Sequence, residues 1–296
     1  MTLVALERAA LQFQSPYSSV DVALSGATYT LRRQIGDSLY WAVDLTGETV
    51  GAYFTRSLAS HRAEGSESVT LGVPGSAWER ALTVAPIGGT ETFVGTRIHG
   101  YEEDTGITVT VDEATITPTG TPTAGQRVAI WRSSNLHHPD AASIGSCITR
   151  YVMTPIGLDV SWSIRWLVNC TASQCYGAMF PVASVLDTGK TTSATKVTLS
   201  LNDDSVRASS QSVSAWLWNS AGNYAAVMTL RDMDTVRSWA NTDSKNMWIQ
   251  DRTNATFNKV YSGYTGPTIT AGDVWTGHTL YAVSHYSSLA SVVVDF

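Results

Sequence analysis

From residue 27 onward this chain keeps returning to one pattern: a short run of β-branched and aromatic residues with a period of two, closed by Gly, Pro or Asp. The first runs are Ala27-Thr28-Tyr29-Thr30-Leu31, Leu39-Tyr40-Trp41-Ala42-Val43, Val50-Gly51-Ala52-Tyr53-Phe54 and Ser68-Val69-Thr70-Leu71-Gly72-Val73. Gly26, Gly36-Asp37, Gly47 and Pro74-Gly75 punctuate them as turns. A period of two suits a sheet with one buried face, and the closing residues tolerate turn backbone. The chain is therefore expected to be all-β. Further runs at 158–168, 178–186, 196–201, 212–218, 224–231, 246–250, 256–261, 274–283 and 289–296 come at the density of a β-sandwich of jelly-roll type. One segment departs from the pattern. Leu3 to Leu11 has apolar residues at helical spacing and is stopped by Ser15-Pro16, so a short helix is expected there.

The chain has 296 residues, more than the ~100–200 usual for one domain. Residues 133–145, with Asn135 and His137-His138-Pro139-Asp140, lack apolar periodicity and read as a linker. The expected division is 1–140, a short helix plus a β-rich attachment base, and 141–296, a distal sandwich. Within the base, Thr108 to Asp112 alternates after Glu103-Asp104-Thr105-Gly106, which predicts a hairpin turning at 103–106.

Several function classes are excluded. A net charge of −6, with no basic run longer than Arg32-Arg33, gives nucleic acid nothing to hold. Met1 to Phe13 carries no basic region leading an apolar run, so no signal peptide is expected. No stretch approaches the ~18 apolar residues of a membrane helix, so no membrane insertion is expected. Cys147, Cys170 and Cys175 read as thiols, although Cys170 and Cys175 are close enough in sequence to bridge a loop. No metal or cofactor pattern is present.

A hydrolase needs an activated nucleophile or two convergent carboxylates, and neither pattern is visible, so no catalytic residue is assigned. Glu102-Glu103-Asp104 reads as solvated turn residues, Asn202-Asp203-Asp204-Ser205 as an Asx turn, and His137-His138 as exposed. His278 and His285 fall on opposite strand faces by parity. Trp162 and Trp166 share a face and read as core.

The segment Val94-Gly95-Thr96-Arg97-Ile98-His99-Gly100-Tyr101-Glu102-Glu103-Asp104-Thr105-Gly106-Ile107-Thr108-Val109-Thr110-Val111-Asp112, continuing through Gly120-Thr121-Pro122 to Arg127-Val128-Ala129-Ile130-Trp131, resembles a hairpin module of bacteriophage tail-fibre and spike proteins. The resemblance covers roughly an eighth of the chain and carries no catalytic residue across. It implies a virion structural protein (tail fibre, spike or head decoration) whose N-terminal region contacts other virion proteins and whose distal part meets the host. Such a protein is assembled in the host cytoplasm and exposed after release.

The charged fraction is only 15%, so the surface is mostly neutral and polar. Aromatic rings on such a surface suit glycan, because ring faces stack on sugar C–H groups while Asn, Asp and Ser bind hydroxyls. Trp216 and Trp218 share one strand face beside Asn219, Asn223 and Tyr224, and Trp239 lies beside Asn241 and Asp243. These residues form the expected site for a host-surface polysaccharide, weighed against their use as core or subunit contacts. A homotrimer is the expected state. The rival readings are a purely structural capsid or tail part, a free lectin module, and a polysaccharide depolymerase whose carboxylates meet only in the folded chain.

Overall fold

The computed structural model describes residues 17–72, 78–191, 197–199, 206–210, 212, 214–219, 223–232, 247–252, 257–265 and 268–285. The expected helix at 3–11, the Asn202 to Ser205 turn and the final β run lie outside these residues. Within them the protein is β throughout, apart from one helical turn, Thr96–His99. Every strand pairing is antiparallel.

Three sheets carry the fold. A small sheet of six strands runs in the order Thr123–Gly125, Val20–Ser25, Thr28–Gly36, Leu39–Val50, Tyr53–Gly65, Val69–Gly72. A broad sheet of ten runs Val197–Thr198, Thr188–Thr191, Ser214–Trp218, Tyr224–Asp232, Val274–His285, Leu158–Trp166, Ala141–Met153, Val128–His138, Glu102–Val111, Ala114–Ile116. A cover sheet runs Val206–Ser210, Met247–Gln250, Phe257–Thr265, Cys170–Ala183, Ala81–Pro86, Thr92–Val94, with Thr268–Ile269 paired beside it.

The alternation that makes these strands also aims them. In Leu158–Trp166 the apolar residues Leu158, Val160, Trp162, Ile164 and Trp166 are buried, while Asp159, Ser161, Ser163 and Arg165 face the other way. The main core joins all three sheets through Leu31, Trp41 and Leu58, through Ile130, Tyr151 and Tyr281, and through Phe180 and Val260. A second core lies between the broad and cover sheets, with Trp162, Trp166 and Trp275 against Leu82, Val84 and Cys175. Trp162 comes so close to Gly277 that an added Cβ would sit 2.5 Å from the indole, so any side chain there must displace the ring. Cys147, Cys170 and Cys175 are free, buried thiols.

Several sequence expectations change here. Residue 140 is not in a linker: it lies in the turn of the hairpin that pairs Val128–His138 with Ala141–Met153. Strands from both expected parts share the broad and cover sheets. Gly47 lies inside a strand opposite Arg56, and the turn is at Gly51, whose φ of 61° is left-handed. Glu103 to Gly106 is strand with a bulge, and the chain turns at Asp112-Glu113, whose φ values are 47° and 68°. Asp112 stabilises that turn by accepting from the N–H groups of Gln126 and Arg127, both at 2.9 Å.

The largest change concerns the acidic run. Glu102 is fully buried. Its carboxylate meets Arg80 at 2.5 Å and Arg132 at 3.0 Å, and accepts from Ser134 and from the N–H of Thr96. Asp104 joins Arg132 at 2.5 Å to Arg56 at 2.8 Å. Burial alone would raise the Glu102 carboxyl, but Arg132 and Arg80 outweigh it and hold the group well below the usual range. His137 and His138, expected in solvent, are also buried. Their strand positions place His138 Nε2 3.2 Å from the Val84 carbonyl.

Candidate functional site

The two faces of the broad sheet differ. Its inner face is the core; its outer face carries the residues at the alternate positions. Register sets Trp131 opposite Arg150, Arg150 opposite Ser161, and Ser161 opposite His278, so one row crosses four strands. With strands ~4.8 Å apart, that row is about 14 Å long. The next row is Ser133, Ile148, Ser163 and Thr276. Together these rows line an open groove of about 450 Å³ that includes Trp131, Ile148, Arg150, Ser161, Ser163, Thr276 and His278.

Trp131 is 44% exposed and Ile148 54% exposed, which is unusual for large apolar side chains in one patch. The Arg150 guanidinium carbon sits 4.6 Å from the centre of the Trp131 ring, a cation–π contact. Arg150 Nε is shielded from solvent and has no hydrogen-bond partner. At the far end of the row, Asp159 Oδ1 accepts from His278 Nε2 at 3.0 Å and pairs with Arg231 Nε at 3.2 Å. A carboxylate can only accept, so the proton of that imidazole is on Nε2.

The groove is thus an aromatic ring, a fixed cation, three hydroxyls and an imidazole on rigid backbone. It combines an apolar floor with a few placed polar groups, the makeup common to ligand sites. Among the described residues, no group of three or more His, Cys, Asp or Glu side chains is placed to hold a metal ion. No helix among them is long and apolar enough to cross a membrane.

The site expected from sequence is placed differently. Trp216 and Trp218 do share a face, and register puts it on the same outer side of the broad sheet as Trp131. They stand five strands away, about 24 Å. There the outer face is covered, leaving Trp216 and Trp218 only 7% and 6% exposed. Tyr224 is on the inner side, in the main core, with its hydroxyl donating to Glu67 at 2.6 Å. Asn219 and Asn223 are half-buried, and the Asn219 N–H donates to the Tyr224 carbonyl. Trp239, Asn241 and Asp243 lie outside the described residues.

Sequence reading passed over Trp131 and Arg150. The available signal was parity: Trp131 alternates with the apolar Val128 and Ile130 side of its strand, so it had to face away from the core.

No protein-family model matches the chain, and no curated protein sequence matches it. Its fold is similar to solved structures. The galactosidase domain of an alpha-galactosidase-sucrose kinase, AgaSK, aligns with a TM-score of 0.53 and 8% identity over 90% of this chain and 41% of that one. The GH36 alpha-galactosidase AgaA from Geobacillus stearothermophilus aligns at 0.46 and 9%, over 89% and 40%. The heparan sulfate lyase HepC from Pedobacter heparinus aligns at 0.44 and 11%, over 91% and 37%. At those two scores nothing further follows from AgaA or HepC. The chain spans about two fifths of the length of the solved chains it matches. What the likeness to the AgaSK domain establishes is a shared multi-sheet antiparallel β fold.

Proposed function

We propose that this chain binds a glycan in the outer-face groove and serves as a host-contacting component of a phage-like particle. The observation that carries the first half is the exposed Trp131 ring fixed beside Arg150 and flanked by Ser161, Ser163, Thr276 and His278. A sugar ring offers C–H faces for stacking and hydroxyls for the polar groups, so it matches both halves of that surface. The fold shared with part of a galactosidase domain is in keeping with a sugar ligand. The particle setting rests on the hairpin resemblance over Val94 to Trp131, and with it the homotrimer and the contact of the N-terminal region with other virion proteins.

The proposed role is binding without cleavage. Glycosidases hold two carboxylates across the scissile bond, whereas the Asp159 carboxylate near the groove is already engaged by His278 and Arg231. Calorimetric titration of host-surface polysaccharide against the native protein and a Trp131→Ala variant tests the binding. Saturable heat that the variant loses is expected; equal heat from both proteins would move the site elsewhere. Sizing the polysaccharide after incubation tests the absence of cleavage, and chain shortening would refute it. Light scattering on the purified protein tests the trimer.

A further inference from the structure

We infer that the saccharide held in this groove is acidic, with its carboxylate or sulfate bound by the Arg150 guanidinium; this deepens the glycan reading and rests on it. Three observations carry the inference.

The first is the state of Arg150. The Trp131 ring fixes the guanidinium through its face, at 4.6 Å, and that contact leaves the N–H edges uncommitted. None of those donors meets an acceptor in the described residues, and Nε is withdrawn from solvent as well. The terminal donors at the groove wall, which meet no acceptor among the described residues, mark a place that a ligand completes.

The second is shape. The two terminal nitrogens of one guanidinium form a fork that matches two oxygens of a carboxylate or sulfate, giving paired charge-assisted hydrogen bonds. A neutral hydroxyl fills only one of the two positions.

The third is charge. The protein as a whole is at −6, yet this face carries Arg150 and, one strand over at the next rows, Arg165, each without a carboxylate partner among the described residues. The Asp159 carboxylate near the groove is already paired with Arg231 and hydrogen-bonded by His278. Every other arginine on the neighbouring small-sheet surface that bears an acid in reach is paired with it, as Arg32 is with Asp21 and Arg62 with Asp44. Among the described residues, the outer face leaves Arg150 and Arg165 without an acid.

The test uses the full native protein and a panel of uronate-bearing, sialate-bearing and sulfated oligosaccharides, each beside its carboxyl-reduced or desulfated counterpart. We expect an acidic member to bind at least tenfold more tightly than its neutral counterpart. We expect Arg150→Gln to lose that margin, Arg150→Lys to recover part of it, and the acidic margin to shrink as salt rises. Which acidic arm binds separates carboxylate from sulfate. Equal binding of acidic and neutral partners, unchanged in Arg150→Gln, would overturn this inference and leave the glycan reading standing. Failure of every saccharide to bind would overturn both. Thermal melting of each variant confirms that a lost margin is not lost fold.

Discussion

Arg132 and Arg150 stand on adjacent strands of the broad sheet and point to opposite sides of it. Arg132 is fully buried and meets Glu102 at 3.0 Å, Asp104 at 2.5 Å and Thr55 at 2.9 Å. Arg150 faces outward, rests on Trp131, and meets no acid among the described residues. The same side chain does two jobs, and the neighbours decide which. An arginine taken out of water must be matched by charge and hydrogen bonds, so the inner cluster is closed on itself. An arginine at the surface can remain unmatched, because water screens its charge there.

Four predictions press on that contrast. The largest effect belongs to the inner face: Arg132→Ala leaves the buried Glu102 with Arg80 alone and Asp104 with Arg56 alone, and should lower unfolding free energy by roughly 3–5 kcal/mol, read by denaturant titration. A variant as stable as the native protein would show that the inner cluster does not hold the fold.

Acidification should weaken the interior next. His61 Nδ1 accepts from Trp41 at 3.1 Å and its Nε2–H donates to the Pro181 carbonyl at 3.0 Å, so the ring is neutral. Burial lowers its pKa from 6.5 to about 3. The unfolded chain takes up that proton first, so the stability from His61 is complete above pH 6.5 and is lost as pH falls to about 3. Glu102 is depressed from 4.5, so its share is complete above pH 4.5 and is lost as pH falls below that. Both slopes have one sign. Stability should fall by a few kcal/mol from pH 7 to pH 3, and a flat melting temperature over that range would contradict both assignments.

A smaller, sharper test compares adjacent residues of one strand. Gly277→Ala pushes a methyl into the Trp162 ring on the inner side and should cost about 1–3 kcal/mol. Thr276→Ala, on the groove side, should stay within about 0.5 kcal/mol. Equal costs would mean that the two faces are not packed as differently as their burial implies. The smallest effect on stability is expected from Arg150→Gln, also within about 0.5 kcal/mol. A large loss of stability there would make Arg150 a structural residue and remove the basis for a ligand.

Much of the fold was legible. The alternation in Leu158–Trp166 gives both the strand and the side that its tryptophans bury, and the buried pattern agrees residue by residue. The errors cluster where local chemistry and long-range pairing disagree. Glu103-Asp104-Thr105-Gly106 has turn-forming residues, but pairing with Ser133 to Asn135 and the arginines waiting for Asp104 draw it into a strand. Gly47 looks like a turn, yet an added Cβ there would sit 2.6 Å from the Phe54 ring, so the glycine serves a close cross-strand approach. Trp216 and Trp218 were rightly read as sharing a face, but no local signal says that this end of the face is covered.

The sequence by itself determined that the chain is β and which residues of a strand share a side, because these depend on spacing and composition alone. Only the tertiary structure decided that Trp131, Arg150, Ser161 and His278 stand in one row. Trp131, Arg150 and Ser161 come from three consecutive strands and His278 from one much later in the chain, and their meeting is set by strand order and register. Register is fixed by the whole sheet packing on its core, so no segment carries that information alone.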